Sequence, residues 1–229
     1  MISNKKTART AGFLYLLLVV SGIFSLLYVP SQLYVWDNPT TTLDNIRASE
    51  TLFRISIATE LSSYVFFLLL PLILYKLLHH VHKTQAILMV AFALVSIPIS
   101  FLNLQQKFAA LKLVTGTEYL QGIPMEQLLS QLMLHLDLYN DGHLISQVFW
   151  ALWLFPLGYL IFKSGILPKF LGIFLMLGCI GYLLEFFGRV LLPNYYELAI
   201  ADYITIPASI GEIGTCLWLL IMGAKESDQ

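Results

Sequence analysis

HLISQVFWALWLFPLGYLIFKSGILPKFLGIFLMLGCIGYLLEFFGRVLL, residues 143–192, is two long apolar runs joined by a short polar turn. From Leu144 to Phe162 only Ser146 and Gln147 are polar outside the aromatic, Gly and Pro positions. At ~1.5 Å of rise per residue such a run reaches the ~30 Å thickness of a bilayer's hydrocarbon core. Lys163, Ser164, Gly165, Pro168 and Lys169 supply a turn, and Phe170 to Phe187 returns through the same thickness carrying one carboxylate, Glu185. The stretch reads as a transmembrane hairpin.

The remaining composition agrees. Of 229 residues, 58% are hydrophobic and 12% charged, against roughly 45–50% apolar in a soluble domain. A net charge of −1, with the thirteen Lys and Arg scattered, lacks the clustered basic face that nucleic acid requires. Cys179 and Cys216 lie inside apolar segments and read as buried small hydrophobes, not as a disulfide or a zinc site. Lys5, Lys6 and Arg9 precede the apolar run Ala11 to Val29. That run exceeds a signal peptide's core and lacks a clear small-x-small cleavage site, so a retained first helix is expected.

Working outward, six stretches are long enough to span, at residues 11–29, 54–75, 85–104, 144–162, 170–189 and 203–222. The expected fold is all-α: a single polytopic membrane domain over residues 1–229, a bundle of six transmembrane helices. Outer segments cover 30–53 and 105–142. With the N-terminus cytoplasmic, Lys5, Lys6, Arg9, Lys76, Lys83, Lys163, Lys169 and Lys225 fall inside, and Arg47, Arg54, Lys107, Lys112 and Arg189 fall outside. The bias favours both termini inside. Glu226 and Asp228 are the only acids on the inner side, so the outer face should be acidic. Pro71, Pro98, Pro156 and Pro207 are internal to spans and predict kinks. Short outer-surface helices are expected over Thr41 to Phe53, opened by Thr41 and Asp44, and over Met125 to Leu138, with Asn140-Asp141-Gly142 as a loop into the fourth span.

Phe155, Pro156, Leu157, Gly158, Tyr159, Leu160 and Ile161, then Lys163, Ser164, Gly165, Leu167, Pro168, Leu171 and Gly172, with Gly178, Gly181 and Tyr182 behind them, form a recognisable hairpin. It resembles the signature of a prokaryotic membrane family called domain of unknown function 4386. The opening Lys6 to Gly12 and the closing Gly211-Glu212 with Leu217-Trp218-Leu219-Leu220 are similar to that family's two ends. The resemblance implies a polytopic membrane protein without an established activity, and assigns no catalytic residues.

Charged groups inside a bilayer cost at least ~2.5–3.5 kcal/mol each at a helix centre, so they turn toward protein or a wet cavity. Glu60 shares a face with Ser56 and Ser63; Glu212 has Thr205, Ser209, Thr215 and Cys216 on its side; Glu185 has Arg189 four residues on; His143 and Gln147 open the fourth span together. Two arrangements fit. In one, Glu60, His143, Gln147, Glu185, Arg189 and Glu212, joined by Arg54 and Asn103, converge on a ligand-binding polar chamber open to the outside. In the other they form a structural network, with Arg189 neutralising Glu185, and Glu60 and Glu212 protonated or hydrogen-bonded by Ser and Thr.

His135, Asp137, Asp141 and His143 contain metal-capable atoms, but the turn signal among them accounts for much of the pattern; no metal and no cofactor is expected. His79, His80 and His82 suit the end of a helix at an anionic leaflet. Neither G-x-S-x-G nor H-E-x-x-H nor a Walker loop occurs. Tyr15, Tyr28, Tyr34, Trp36, Trp150, Trp153, Tyr195, Tyr196, Tyr203 and Trp218 lie mostly near the predicted interfaces and read as interface anchors.

Three functions remain open: binding or transport of a small polar or amphipathic molecule, a non-catalytic accessory or sensory role, and an intramembrane lipid-modifying enzyme. An enzyme is the less expected outcome. The partners expected are the lipid bilayer and a small-molecule or lipid ligand, with no nucleic acid and no protein partner identified. The expected location is the cell membrane, inner or plasma.

Overall fold

A computed structural model describes residues 4–116, 118 and 122–224. Lys225, Glu226 and Asp228 of the charge argument lie outside the described residues. Helix α1 (Asn4–Gly22) runs through a π-helical stretch (Ile23–Tyr28) into α2 (Val29–Leu33). Then follow α3 (Pro39–Ala48), α4 (Glu50–Leu78), α5 (Lys83–Asn103), α6 (Gln105–Thr115), α7 (Met125–Ser164), α8 (Lys169–Leu191) and α9 (Ile206–Ile221), with 3₁₀ turns at Tyr195–Glu197 and Ala199–Asp202. The fold is all-helical among the described residues, and six helical stretches are long and apolar enough to cross a membrane. Large apolar side chains such as Leu27, Leu102, Ile180 and Val190 stand exposed on them, a surface that suits hydrocarbon solvent.

Several local expectations change. Asn140-Asp141-Gly142 makes no turn: α7 passes straight through it, because turn propensity is weak against apolar faces that continue on both sides. The first outer helix starts earlier than Thr41. Asn38 caps it, accepting from the Thr41 amide at 3.1 Å, and Pro39 occupies the first turn, where a missing N–H costs nothing. Phe53 belongs to α4. Pro207 likewise sits in the first turn of α9, so it interrupts no helix, whereas Pro71, Pro98 and Pro156 are internal. Tyr15 and Trp153 are buried core residues, each 1% exposed, not interface anchors.

The chain divides into two compact units, each described by itself. The first comprises Met1–Leu18, Phe66–Pro98 and Leu144–Gln229. Here α8 and α9 pack closely, and glycines set the approach. A Cβ built on Gly158 would lie 2.5 Å from the Gly172 carbonyl oxygen, and one on Gly178 2.6 Å from the Ala208 Cα. Trp153 packs edge-on against Phe67 at 5.0 Å and is tilted on Tyr15 at 6.2 Å.

The second unit comprises Val19–Val65 and Ile99–His143. Its core joins Val29, Leu33, Leu43, Ile46, Phe53, Leu111, Leu132 and Leu136. The α2–α3 connection is closed by Thr42, whose hydroxyl accepts from the Val35 amide and donates to the Val35 carbonyl at 2.8 and 3.0 Å. Arg47 Nε donates to the Val114 carbonyl at 3.2 Å, tying α3 to the end of α6.

Candidate functional site

Within the second unit, α4 presents Glu60, α6 presents Lys107, and α7 presents Tyr139 and His143 one turn apart. Lys107 Nζ meets Glu60 Oε2 at 2.7 Å, and the pair is removed from solvent, with side-chain exposures of 0% and 1%. Tyr64 and Tyr139 each donate a hydroxyl to Glu60 Oε1 at 2.5 Å. His143 Nε2 lies 3.2 Å from the same oxygen and 2.8 Å from the Tyr139 hydroxyl. The lysine ammonium sits 4.6 Å from the Tyr139 ring centroid and 3.5 Å from the carbonyl oxygen of Ser25, in the π-helical stretch. Three helices are thereby joined through one carboxylate, and the lysine ties the π-helical stretch to them.

The cluster has an open edge and an unmet donor. His143 keeps 16% of its side chain exposed. Tyr34, just beyond α2, has a buried hydroxyl with no hydrogen-bond partner among the described residues. Burial, and after it the charge of Glu60, holds that phenol well above its ordinary value of 10. Asn103 supports the cluster from behind, its amide donating to the Tyr139 carbonyl at 2.8 Å.

The first unit holds two further groups. Gln147 Nε2 donates to Glu185 Oε2 at 2.6 Å, Arg189 pairs with Glu185 Oε1, and the guanidinium stacks 5.1 Å from the Tyr196 ring centroid. Tyr195 lies close against Gly188, with its buried hydroxyl unpartnered among the described residues. Separately, Glu212 on α9 accepts from Tyr182 of α8 at 3.1 Å and from Tyr15 of α1 at 3.4 Å.

The eight expected chamber residues therefore sort into groups. Glu60 and His143 meet, with Asn103 one contact away; Gln147, Glu185 and Arg189 meet; Glu212 is held by tyrosines. Arg54 pairs with Glu50 at 2.6 Å on an exposed face. Two of the hydroxyls expected around the acids do not serve them: Ser56 donates back to the Phe53 carbonyl at 2.7 Å, and buried Thr215 has no partner among the described residues. A short hydroxyl on a helix bonds its own preceding turn; tyrosine reaches across. Among the described residues no group of three His, Cys, Asp or Glu could hold a metal ion. His135 bonds Gln106 at 2.7 Å, Asp137 and Asp141 are exposed, and His143 faces Glu60. At Glu60 an ammonium already occupies the place a cation would take.

Lys107, Tyr64 and Tyr139 are the members that sequence reasoning missed. The signal was present: Leu104, Lys107, Leu111 and Val114 recur at helical spacing, which puts a lysine on the apolar face of α6. His135, Tyr139 and His143 likewise recur every four residues, a stripe obscured by the turn signal beside them. A cavity of about 520 Å³ lies elsewhere, at the start of α1, lined by Lys5, Lys6, Arg9, Thr10 and Phe13.

The model of the family described as Domain of unknown function (DUF4386) matches residues 10–223. The chain belongs to this family. An uncharacterised protein of Archaeoglobus fulgidus is 32% identical over 84 residues, which are 37% of this chain and 48% of that protein. The chain thus matches about half the length of that relative. No solved structure matches the chain.

Proposed function

We propose that this DUF4386 protein is a non-catalytic multi-pass protein of the cell membrane that binds a small polar or amphipathic molecule at the Glu60 cluster. The cluster faces outward and both termini are cytoplasmic. The observation that carries the reading is the Glu60–Lys107 pair: wholly buried, yet touched by partly exposed His143, with the Tyr34 hydroxyl, unpartnered among the described residues, inside the field of Glu60. A buried ion pair is often no more stabilising than an apolar replacement, and an ionisable residue at membrane depth is by default a functional one. A ligand with its own charge or dipole would enter past His143, take the Tyr34 hydroxyl and share the partners of Glu60 and Lys107.

The test is native mass spectrometry of the purified protein in lipid nanodiscs, comparing wild type with Glu60→Gln. Expected is a small molecule or lipid retained by wild type and lost from the variant. A wild type that carries nothing, or a variant that carries the same set, would sink the reading.

A second reading has its own support. Both oxygens of Glu60 already have donors, which suits a lock between segments in an accessory or sensory protein without a ligand. An unchanged bound set would favour it.

A further inference from the structure

Glu60 and Glu212 are both carboxylates carried on apolar helices, and their charges are met in different ways. Glu60 has an ammonium at 2.7 Å. Among the described residues Glu212 has only the phenol hydroxyls of Tyr182 and Tyr15, at 3.1 and 3.4 Å. Among the described residues no lysine, arginine or histidine pairs with it. The titratable groups around it are Tyr15 on α1, Tyr182 on α8, and Cys216 one turn further along α9. Glu185, the next acid along α8, has Arg189 as its own counter-ion. None of these is cationic. Three residues beyond Glu212, about one helical turn away, the hydroxyl of Thr215 is fully buried and without a partner among the described residues.

An anion in apolar surroundings with neutral donors alone sheds its charge by taking up a proton. We propose that Glu212 is a proton-binding site, a carboxyl group that takes up a proton from the medium and returns it. The tyrosine hydroxyls hold both forms. They donate to the carboxylate when it is ionised, and one can turn to accept when it is not, because a phenol oxygen does both. The inference stands apart from the ligand reading, which concerns a different carboxylate in the other unit.

N,N′-dicyclohexylcarbodiimide tests it directly. This lipophilic reagent needs the protonated acid: one nitrogen takes the proton, the carboxyl oxygen adds to the central carbon, and the adduct rearranges to a stable N-acylurea with nothing leaving. Purified full-length protein in nanodiscs would be labelled between about pH 5 and about pH 9 and mapped by peptide mass spectrometry, because an acid's protonated fraction falls about tenfold per pH unit above its midpoint. Expected is labelling at Glu212 that falls with that slope on the alkaline side. Glu50→Gln, at an exposed acid, keeps the label and Glu212→Gln abolishes it. Tyr182→Phe, which keeps the carboxyl and removes a donor that favours the anion, carries labelling to higher pH. Absence of label on Glu212 throughout, an unmoved profile in Tyr182→Phe, or suppression by sodium at fixed pH would each overturn the proposal.

Discussion

Lys107 is the residue on which the second unit turns, and its charge has no exposed surface. Removing one partner of a buried pair leaves the other uncompensated, at a cost of about 3–5 kcal/mol, whereas removing both leaves only a packing defect. Lys107→Met and Glu60→Gln should each lower stability by about that much, and the double variant by clearly less than the sum. Thermal unfolding in one detergent measures this, and strict additivity would mean that the pair is not coupled. Charge counting places Lys107 with the outer loops, since a lysine between predicted spans normally snorkels to water. Its position on the apolar stripe of α6 is visible in the sequence. The carboxylate it meets, 47 positions earlier in the chain, is not, because pairing across helices leaves no local pattern.

At the scale of the element, the helices were legible and their ends were not. Hydropathy marks where a span must be apolar but not where a helix stops, and α7 at 40 residues is about 60 Å long, roughly twice the hydrocarbon thickness. Caps decide the shorter pieces. Asn38→Ala should cost about 1 kcal/mol, while Thr41→Ala should change stability by less than about 0.5 kcal/mol; chemical unfolding of the two variants side by side would reverse that order only if Thr41 were the cap. Close helix contacts obey a different rule. In an open helix Gly→Ala gains about 1 kcal/mol, but a Cβ at Gly158 meets a backbone oxygen. Gly158→Ala is therefore expected to lower the unfolding temperature, and a more stable variant would show that α7 and α8 do not approach there as described.

For the whole molecule, membrane physics made the all-helical class and the six spanning segments readable, since a backbone in lipid has to satisfy itself. Family membership adds breadth, with residues 10–223 matched, and no chemistry. The orientation argued from lysine and arginine predicts that single cysteines at residues 5 and 223, in a background with Cys179 and Cys216 replaced, react with a membrane-impermeant maleimide only after cells are opened. Labelling in intact cells would reverse the topology and put the Glu60 cluster on the cytoplasmic side.

The complete enclosure of the Lys107–Glu60 contact bears on how this protein should respond to brine. Raising sodium chloride from about 0.1 M to about 1 M shrinks the Debye length from ~10 Å to ~3 Å, yet mobile ions screen only charges they can approach. Glu50 and Arg54, open to the medium, would lose what little their attraction contributes. The enclosed contact would hold through the same titration, leaving the second unit's melting nearly indifferent to ionic strength even though its centre is a meeting of opposite charges.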